Sequence, residues 1–225
     1  MKSFFKSYGF ILFWLLALTD IIAVSLQYFD LAFIAKPLLI PVLMCTLISQ
    51  SNAGNNRWLL LAGLFFSFAG DVFLLYETSH PLFFIFGLAS FLITHIFYIA
   101  FFLVIKSKAP SLLRQKPFLI FAVAVYSGGL LFLLIPNLGS LTIPVILYAL
   151  VLSSMLLSSL HIYNKINAGA ARLFITGAAF FVLSDSLLAL NKFYTPLPLP
   201  GLLIMVTYCL AQFYIVKGFI AFQKQ

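Results

Sequence analysis

Apolar residues fill this chain in blocks of about twenty, and polar residues interrupt them only briefly. Reading between the breaks gives eight apolar spans, at 8–26, 33–50, 58–76, 82–104, 117–135, 141–163, 171–190 and 201–222. A helix crosses the hydrocarbon core of a bilayer with about 20 apolar residues. The pattern therefore predicts an all-α, polytopic membrane protein with eight transmembrane helices. The breaks run from Gln27 to Asp30, Ser51 to Arg57, Glu77 to Pro81, Lys106 to Lys116, Pro136 to Ser140, Asn164 to Ala170 and Asn191 to Pro200. None is long enough for a soluble domain, so residues 1–225 read as a single transmembrane domain. Lys2 and Lys6 precede the first span as in a signal peptide, but that span is long, contains Asp20 and lacks a clear cleavage site. It is read as retained.

The order of residues also admits a 4+4 parallel repeat, with chance apolar similarity as the alternative. The run from Phe66 through Asp71 can be laid over that from Phe180 through Asp185, and Ile40-Pro41-Val42 over Ile143-Pro144-Val145. Each matched pair lies four spans apart, which implies an axis along the membrane normal.

Composition agrees with the pattern. Hydrophobic residues make up 64% of the 225 and charged residues 8%, against about a quarter charged in an ordinary soluble domain. Cys45 and Cys209 both fall in apolar runs and read as small core hydrophobes rather than a disulfide or zinc set. The 13 Lys and Arg against 5 Asp and Glu give a net charge of +8. No basic stretch lies on a soluble face, so nucleic acid is not the expected partner. Topology accounts for the charge. With the N-terminus inside, eleven basic residues lie on the cytoplasmic side (Lys2, Lys6, Arg57, Lys106, Lys108, Arg114, Lys116, Lys165, Arg172, Lys217 and Lys224), and only Lys36 and Lys192 lie opposite. Both termini are then cytoplasmic, and a bacterial inner membrane is the expected location.

Within the spans, ionisable groups are the candidates for function, because each costs at least about 2.5–3.5 kcal/mol to insert. Asp71 and Asp185 lie about five residues from the outer ends of the third and seventh spans, roughly 7–8 Å deep. Asp20 is in the outer half of the first. Lys36 stands at the outer start of the second, and Asn191 with Lys192 just beyond the seventh. These groups gather at one depth, so a shared pocket is expected, polar at the Lys36 and Lys192 level and apolar deeper. The alternative is that the lysines snorkel and the aspartates pair with them structurally. His95 and Tyr98, one turn apart, share a face of the fourth span, and Tyr208 and Gln212 do so on the eighth. No Gly-rich phosphate loop, nucleophile elbow, His-Glu-x-x-His or Cys-x-x-Cys motif is present. Any chemistry falls to the aspartates.

At these positions the sequence resembles the YhhN family of integral-membrane lysoplasmalogenases. The matching pieces are Lys36-Pro37, Gly70-Asp71 with Leu74, Gly87 through Phe91 to His95 and Tyr98, Ser184-Asp185 with Leu187, and Tyr208 with Gln212. The resemblance implies hydrolysis of the vinyl ether bond of a lysophospholipid substrate, the lysoplasmalogen, held beside membrane lipid. The products are a fatty aldehyde and glycerophosphoethanolamine or glycerophosphocholine, and no metal or organic cofactor is implied. Asp71 and Asp185 are the expected catalytic pair. One would be the acid that protonates the vinyl ether carbon, the other the carboxylate that stabilises the cation, as in glycosidic chemistry. Lys36, His95, Tyr98, Asn191, Lys192, Tyr208 and Gln212 are the expected substrate-binding residues.

Two other classes fit parts of the pattern. A proton-coupled secondary transporter would also carry buried charges and a repeat, and vesicle uptake would reveal it. A lipid-binding membrane scaffold would use the aspartates for helix association and tolerate Asp71→Asn.

The eleven-to-two distribution makes a prediction of its own. Cysteines introduced between residues 106 and 116 should resist impermeant maleimide applied to intact cells and react once the membrane is opened. Labelling from outside would reverse the topology.

Overall fold

The computed structural model describes residues 2–26, 28–54 and 56–224. Among these the architecture is all-α: α1 (Lys2–Ser25), α2 (Phe29–Gln50), α3 (Arg57–Leu75), α4 (Pro81–Val104), a single-turn α5 (Leu112–Gln115), α6 (Phe118–Leu138), α7 (Thr142–His161), α8 (Ala168–Phe193) and α9 (Pro200–Phe222). An all-helical answer is what hydrocarbon demands, since a helix satisfies its own backbone N–H and C=O groups. The ends follow local chemistry. Asn167 Oδ1 caps α8 by accepting from Ala170 N at 2.6 Å, Ser111 Oγ accepts from Leu113 N at α5, and Pro200 opens α9 where no backbone donor is needed.

Among the described residues, seven helical stretches are long and apolar enough to cross a membrane, where the sequence pattern suggests eight. The fifth runs unbroken from Phe118 to His161, 44 residues. As one rod it would measure about 66 Å, twice a bilayer core. Instead it doubles back at the 3-10 turn Gly139–Leu141, entered through Gly139 at φ +52°. The Ser127 and Ser153 hydroxyls, 26 residues apart, share a hydrogen bond of 2.7 Å across the resulting hairpin of α6 and α7.

The chain forms two compact units, one carrying α1 to α4 as far as Phe101, the other running from Phe102 through α9. In the first, α1 lies on α2, with Gly9 against Thr46 and Gln50 Nε2 donating to Lys6 O at 3.1 Å. The α3 and α4 helices are antiparallel and meet at glycines. Gly63 receives the Tyr98 ring, Gly70 the Phe91 ring and Gly87 the Leu74 side chain. Thr94 Oγ1 donates to Gly63 O at 3.0 Å across the same seam. Membrane helices lack a hydrophobic force between them, so small residues that bring backbones together dominate such contacts.

In the second unit α8 and α9 form the closest pair. A Cβ at Gly177 would lie 2.9 Å from the Ala211 carbonyl oxygen and 3.0 Å from Ile215 N. The turn of the α6–α7 hairpin packs Leu134, Leu138 and Val145 against Ala189, Leu190 and Phe193, holding the end of α8. Much of the hairpin is otherwise outward-facing, with Phe121, Phe132 and Ile143 at least 71% exposed. An exposed apolar surface of this kind suits contact with lipid or with another protein.

In the second unit the basic loops meet at one end. Asn164 Nδ2 donates to Pro110 O and Gln115 Oε1, joining the loop before α8 to the Lys106–Lys116 segment, and Asn167 Nδ2 reaches Ala221 O near the end of α9. Cys209 is buried, but Cys45 lies on the outer surface of α2, so only one of the two cysteines is a core residue. Helical ends also move some side chains inward. Lys36 stands two turns inside α2 rather than at its start, and Asn191 and Lys192 belong to the last turn of α8.

Both aspartate helices carry a glycine eight residues earlier, Gly63 before Asp71 and Gly177 before Asp185, and each glycine seats the following helix. The α1–α2 pair is closely packed, whereas the α6–α7 hairpin exposes most of its surface.

Gly177→Ala should lower stability by about 1–3 kcal/mol, because the new methyl meets backbone atoms that cannot rotate aside. Gly128→Ala on α6, with nothing within 4 Å, should leave it unchanged or slightly raised. Thermal unfolding in detergent separates the two.

Candidate active site

In the first unit, Asp71 is almost fully buried on α3, 2% exposed. The residue numbers of Gly63 with Tyr98, Gly70 with Phe91 and Leu74 with Gly87 each add to 161, so α3 and α4 keep one antiparallel register. By that register Asp71 is level with Ser90, and Ser67, one turn deeper, with Thr94. Those three hydroxyl residues are buried, and the Ser90 and Thr94 hydroxyls donate to backbone carbonyls of α3 and α4. His95 and Tyr98, both fully buried on α4, lie about one and two turns deeper than Asp71. The expected one-turn stripe of His95 and Tyr98 is therefore real, and it sits below the aspartate. Tyr98 is committed to packing on Gly63.

Lys36 is half-buried on α2, and it acts electrostatically on Asp20 of α1. Asp20 is fully buried, and neither carboxyl oxygen has a hydrogen-bond partner.

The second unit holds Asp185, half-buried on α8. The Tyr148 hydroxyl of α7 donates to its Oδ2 at 2.7 Å. One residue on, Tyr126 of α6 donates to Ser186 Oγ at 2.8 Å, and Ser186 donates to Val182 O. Ser184 Oγ donates to Ile204 O of α9 at 3.2 Å. Asp185 is thus bonded by one phenol, and the serines on either side of it tie α8 to α6 and α9. Tyr148 is the residue that sequence reasoning missed. Its signal was present, for it is the lone phenol in the apolar run Ile143 to Leu152, and an inward phenol needs a partner.

Tyr208 and Gln212 share a face of α9 as expected, with Gln212 Nε2 donating to Tyr208 Oη at 3.4 Å. Tyr208 meets the Phe181 ring edge-on at 5.8 Å, one turn below Asp185. Asn191 Oδ1 accepts from Leu197 N at 3.0 Å and so fastens the loop between α8 and α9. Lys192 lies in the last turn of α8, where the helix dipole favours a cation.

Below Asp185 a groove of about 350 Å³ runs between α6, α7 and α8. Its walls include Leu119, Val123 and Tyr126 of α6, Leu156 of α7, and Val182 and Leu183 of α8. Among the described residues no three His, Cys, Asp or Glu side chains form a set that could hold a metal ion.

Seven long apolar stretches with carboxylates inside them define a polytopic membrane protein with intramembrane acid groups. The chain belongs to the YhhN family, whose family model matches residues 31–219. It is 34% identical over 163 residues to "Lysoplasmalogenase TMEM86A" of Homo sapiens, a match covering 68% of this chain and 61% of that protein. It is 32% identical over 174 residues to "Lysoplasmalogenase TMEM86B" of Mus musculus, covering 77% and 69%. A "Lysoplasmalogenase" of Mycobacterium tuberculosis is 32% identical over 185 residues, covering 79% and 66%. The chain thus spans about two thirds of the length of the curated relatives it matches. No solved structure matches it.

Tyr148→Phe removes the donor from Asp185 without changing ring packing. Stability should fall by about 1 kcal/mol, the worth of such a bond. Unfolding of the two proteins in one detergent measures it, and an unchanged midpoint would mean that this bond is not maintained.

Proposed function

We propose that this protein is a lysoplasmalogenase, a membrane hydrolase that cleaves the vinyl ether bond of a lysophospholipid, and that Asp71 and Asp185 are its acid–base pair. The observation that carries the reading is the family membership, with relatives of that name matching 68–79% of this chain. The chemistry asks for two differently placed carboxyl groups. An acid delivers a proton to the β-carbon of the vinyl ether, leaving an oxocarbenium ion. Water adds to the cationic carbon and returns a proton, and the hemiacetal collapses to a fatty aldehyde and the glycerol hydroxyl. Hydrolysis of this kind consumes one water and needs no redox partner.

The environments suggest which carboxyl does which. Asp185 accepts the Tyr148 hydroxyl hydrogen bond, an arrangement suited to a negative oxygen that faces a developing cation. Asp71, nearly sealed on α3, suits the proton donor. The apolar groove below Asp185 suits the alkenyl tail. Lys36 and Lys192 are the candidate phosphate contacts, and His95, Tyr98, Asn191, Tyr208 and Gln212 the remaining candidate substrate-binding residues. In this reading the basic loops and both termini face the cytoplasm.

Asparagine keeps the volume of aspartate and loses its acidic proton and charge. Asp71→Asn or Asp185→Asn should leave expression intact and cut aldehyde release from lysoplasmalogen by about 10²–10⁴-fold. If the two act as one unit, the double variant should be little worse than the poorer single one. Aldehyde release per folded protein decides it, and near-normal turnover in both single variants would end this mechanism.

A further inference from the structure

Asp20 lies outside residues 31–219 and has no place in the chemistry above. It is nevertheless the most anomalous group in the first unit. It sits on the buried stripe of α1, with Gly9, Phe13, Ala17 and Ala23, fully buried and with both oxygens lacking a hydrogen-bond partner. A carboxyl in that position is costly unless something compensates it.

The α1–α2 register shows what lies beside it. Gly9 meets Thr46 and Lys6 meets Gln50, pairs whose residue numbers add to 55 and 56. Asp20 is therefore level with Ala35 and Lys36. Lys36 acts on it through space without a hydrogen bond. The next residue, Pro37, has no N–H to give the carbonyl of Phe33, and Pro41 likewise cannot serve the carbonyl of Pro37. One short stretch thus holds an unpartnered carboxyl, two carbonyls deprived of their helical donors, and a lysine that does not close on the carboxyl. The buried side chains around this level include four alanines, Ala17, Ala23, Ala32 and Ala35, with Leu39 and Ile40 one turn further along α2.

Acceptors in excess call for a ligand rich in donors, and an adjacent cation calls for an anion on the same ligand. We propose that Asp20 and the Lys36-Pro37 segment form a receptor for a zwitterionic lipid headgroup, Asp20 taking the ammonium and Lys36 the phosphate. An ammonium brings three N–H donors to the carboxyl and carbonyl oxygens, and phosphate is a natural partner for lysine. The proposal rests on the lysophospholipid reading above and deepens it, by making the headgroup amine a determinant of binding.

The test reads binding, not turnover. Purified full-length protein in detergent is titrated with lysophosphatidylethanolamine and with lysophosphatidylethanol of the same acyl chain, which lacks only the amine. The unaltered protein should bind the amine-bearing lipid about ten- to a hundredfold more tightly, as expected of hydrogen bonds to a charged group. Asp20→Asn should bring the two affinities within about threefold while leaving the amine-free lipid unchanged. Asp20→Ser serves if the asparagine variant does not fold. Equal affinities in the unaltered protein, or a preference that survives loss of the carboxyl, overturns the proposal. A preference that vanishes with Asp20 in a protein releasing no aldehyde would uphold this receptor and sink only the hydrolase reading.

Discussion

Hydrogen bonding in the absence of water governs this molecule. In hydrocarbon a bare backbone N–H or C=O costs several kcal/mol, so the chain closes its backbone into helices and gives most of its buried hydroxyls a carbonyl partner. The hydroxyls show the rule. Thr46, Ser153, Ser154, Ser186 and Thr207 each return their hydrogen to a carbonyl one turn back on their own helix. Others reach a neighbouring helix, as Thr94 and Ser184 do. Asp185 is met by the Tyr148 hydroxyl, and Asp20 is left as a buried carboxyl with no hydrogen bond.

Glycine sets the distances at which such bonds can form. Gly63, Gly70 and Gly87 bring α3 and α4 together, and Gly177 and Gly218 do so for α8 and α9. The helix of Asp185 is therefore spaced from the next by backbone at Gly177, and that of Asp71 by rings seated on Gly63 and Gly70. A carboxyl held on such a helix keeps its depth and heading, which suits a group that must meet one atom of a substrate.

Much of this was legible in the sequence because the bilayer reduces folding to a nearly one-dimensional problem. Helix ends fell close to the polar breaks, and Asp71 announced itself as an ionisable residue within an apolar run. What was hidden had different physical origins. The α6–α7 turn is so tight that apolar character and helical bonding continue through it, so length and hydropathy merge the two helices into one stretch. Tyr148 was overlooked because a phenol at a membrane helix is ordinary until a partner is known. Asp20 was visible as a charge, but its lack of any hydrogen bond is a property of packing. Lys36 and Asn191 were displaced from their expected settings because helices extend past the apolar core, carrying loop-like residues into regular structure.

The groove between α6, α7 and α8 opens on an exposed apolar face, for Leu183 in its wall is 43% exposed, and such a face suits lipid. An amphiphile that enters there travels sideways through the leaflet without leaving for water. Its encounter rate then follows its mole fraction among the surrounding lipids rather than its concentration in the surrounding volume. Diluting the membrane with inert lipid would slow arrival as surely as removing ligand, while diluting the whole suspension would not. For this chain the bilayer is at once the solvent that dictates the fold and the compartment in which supply is measured.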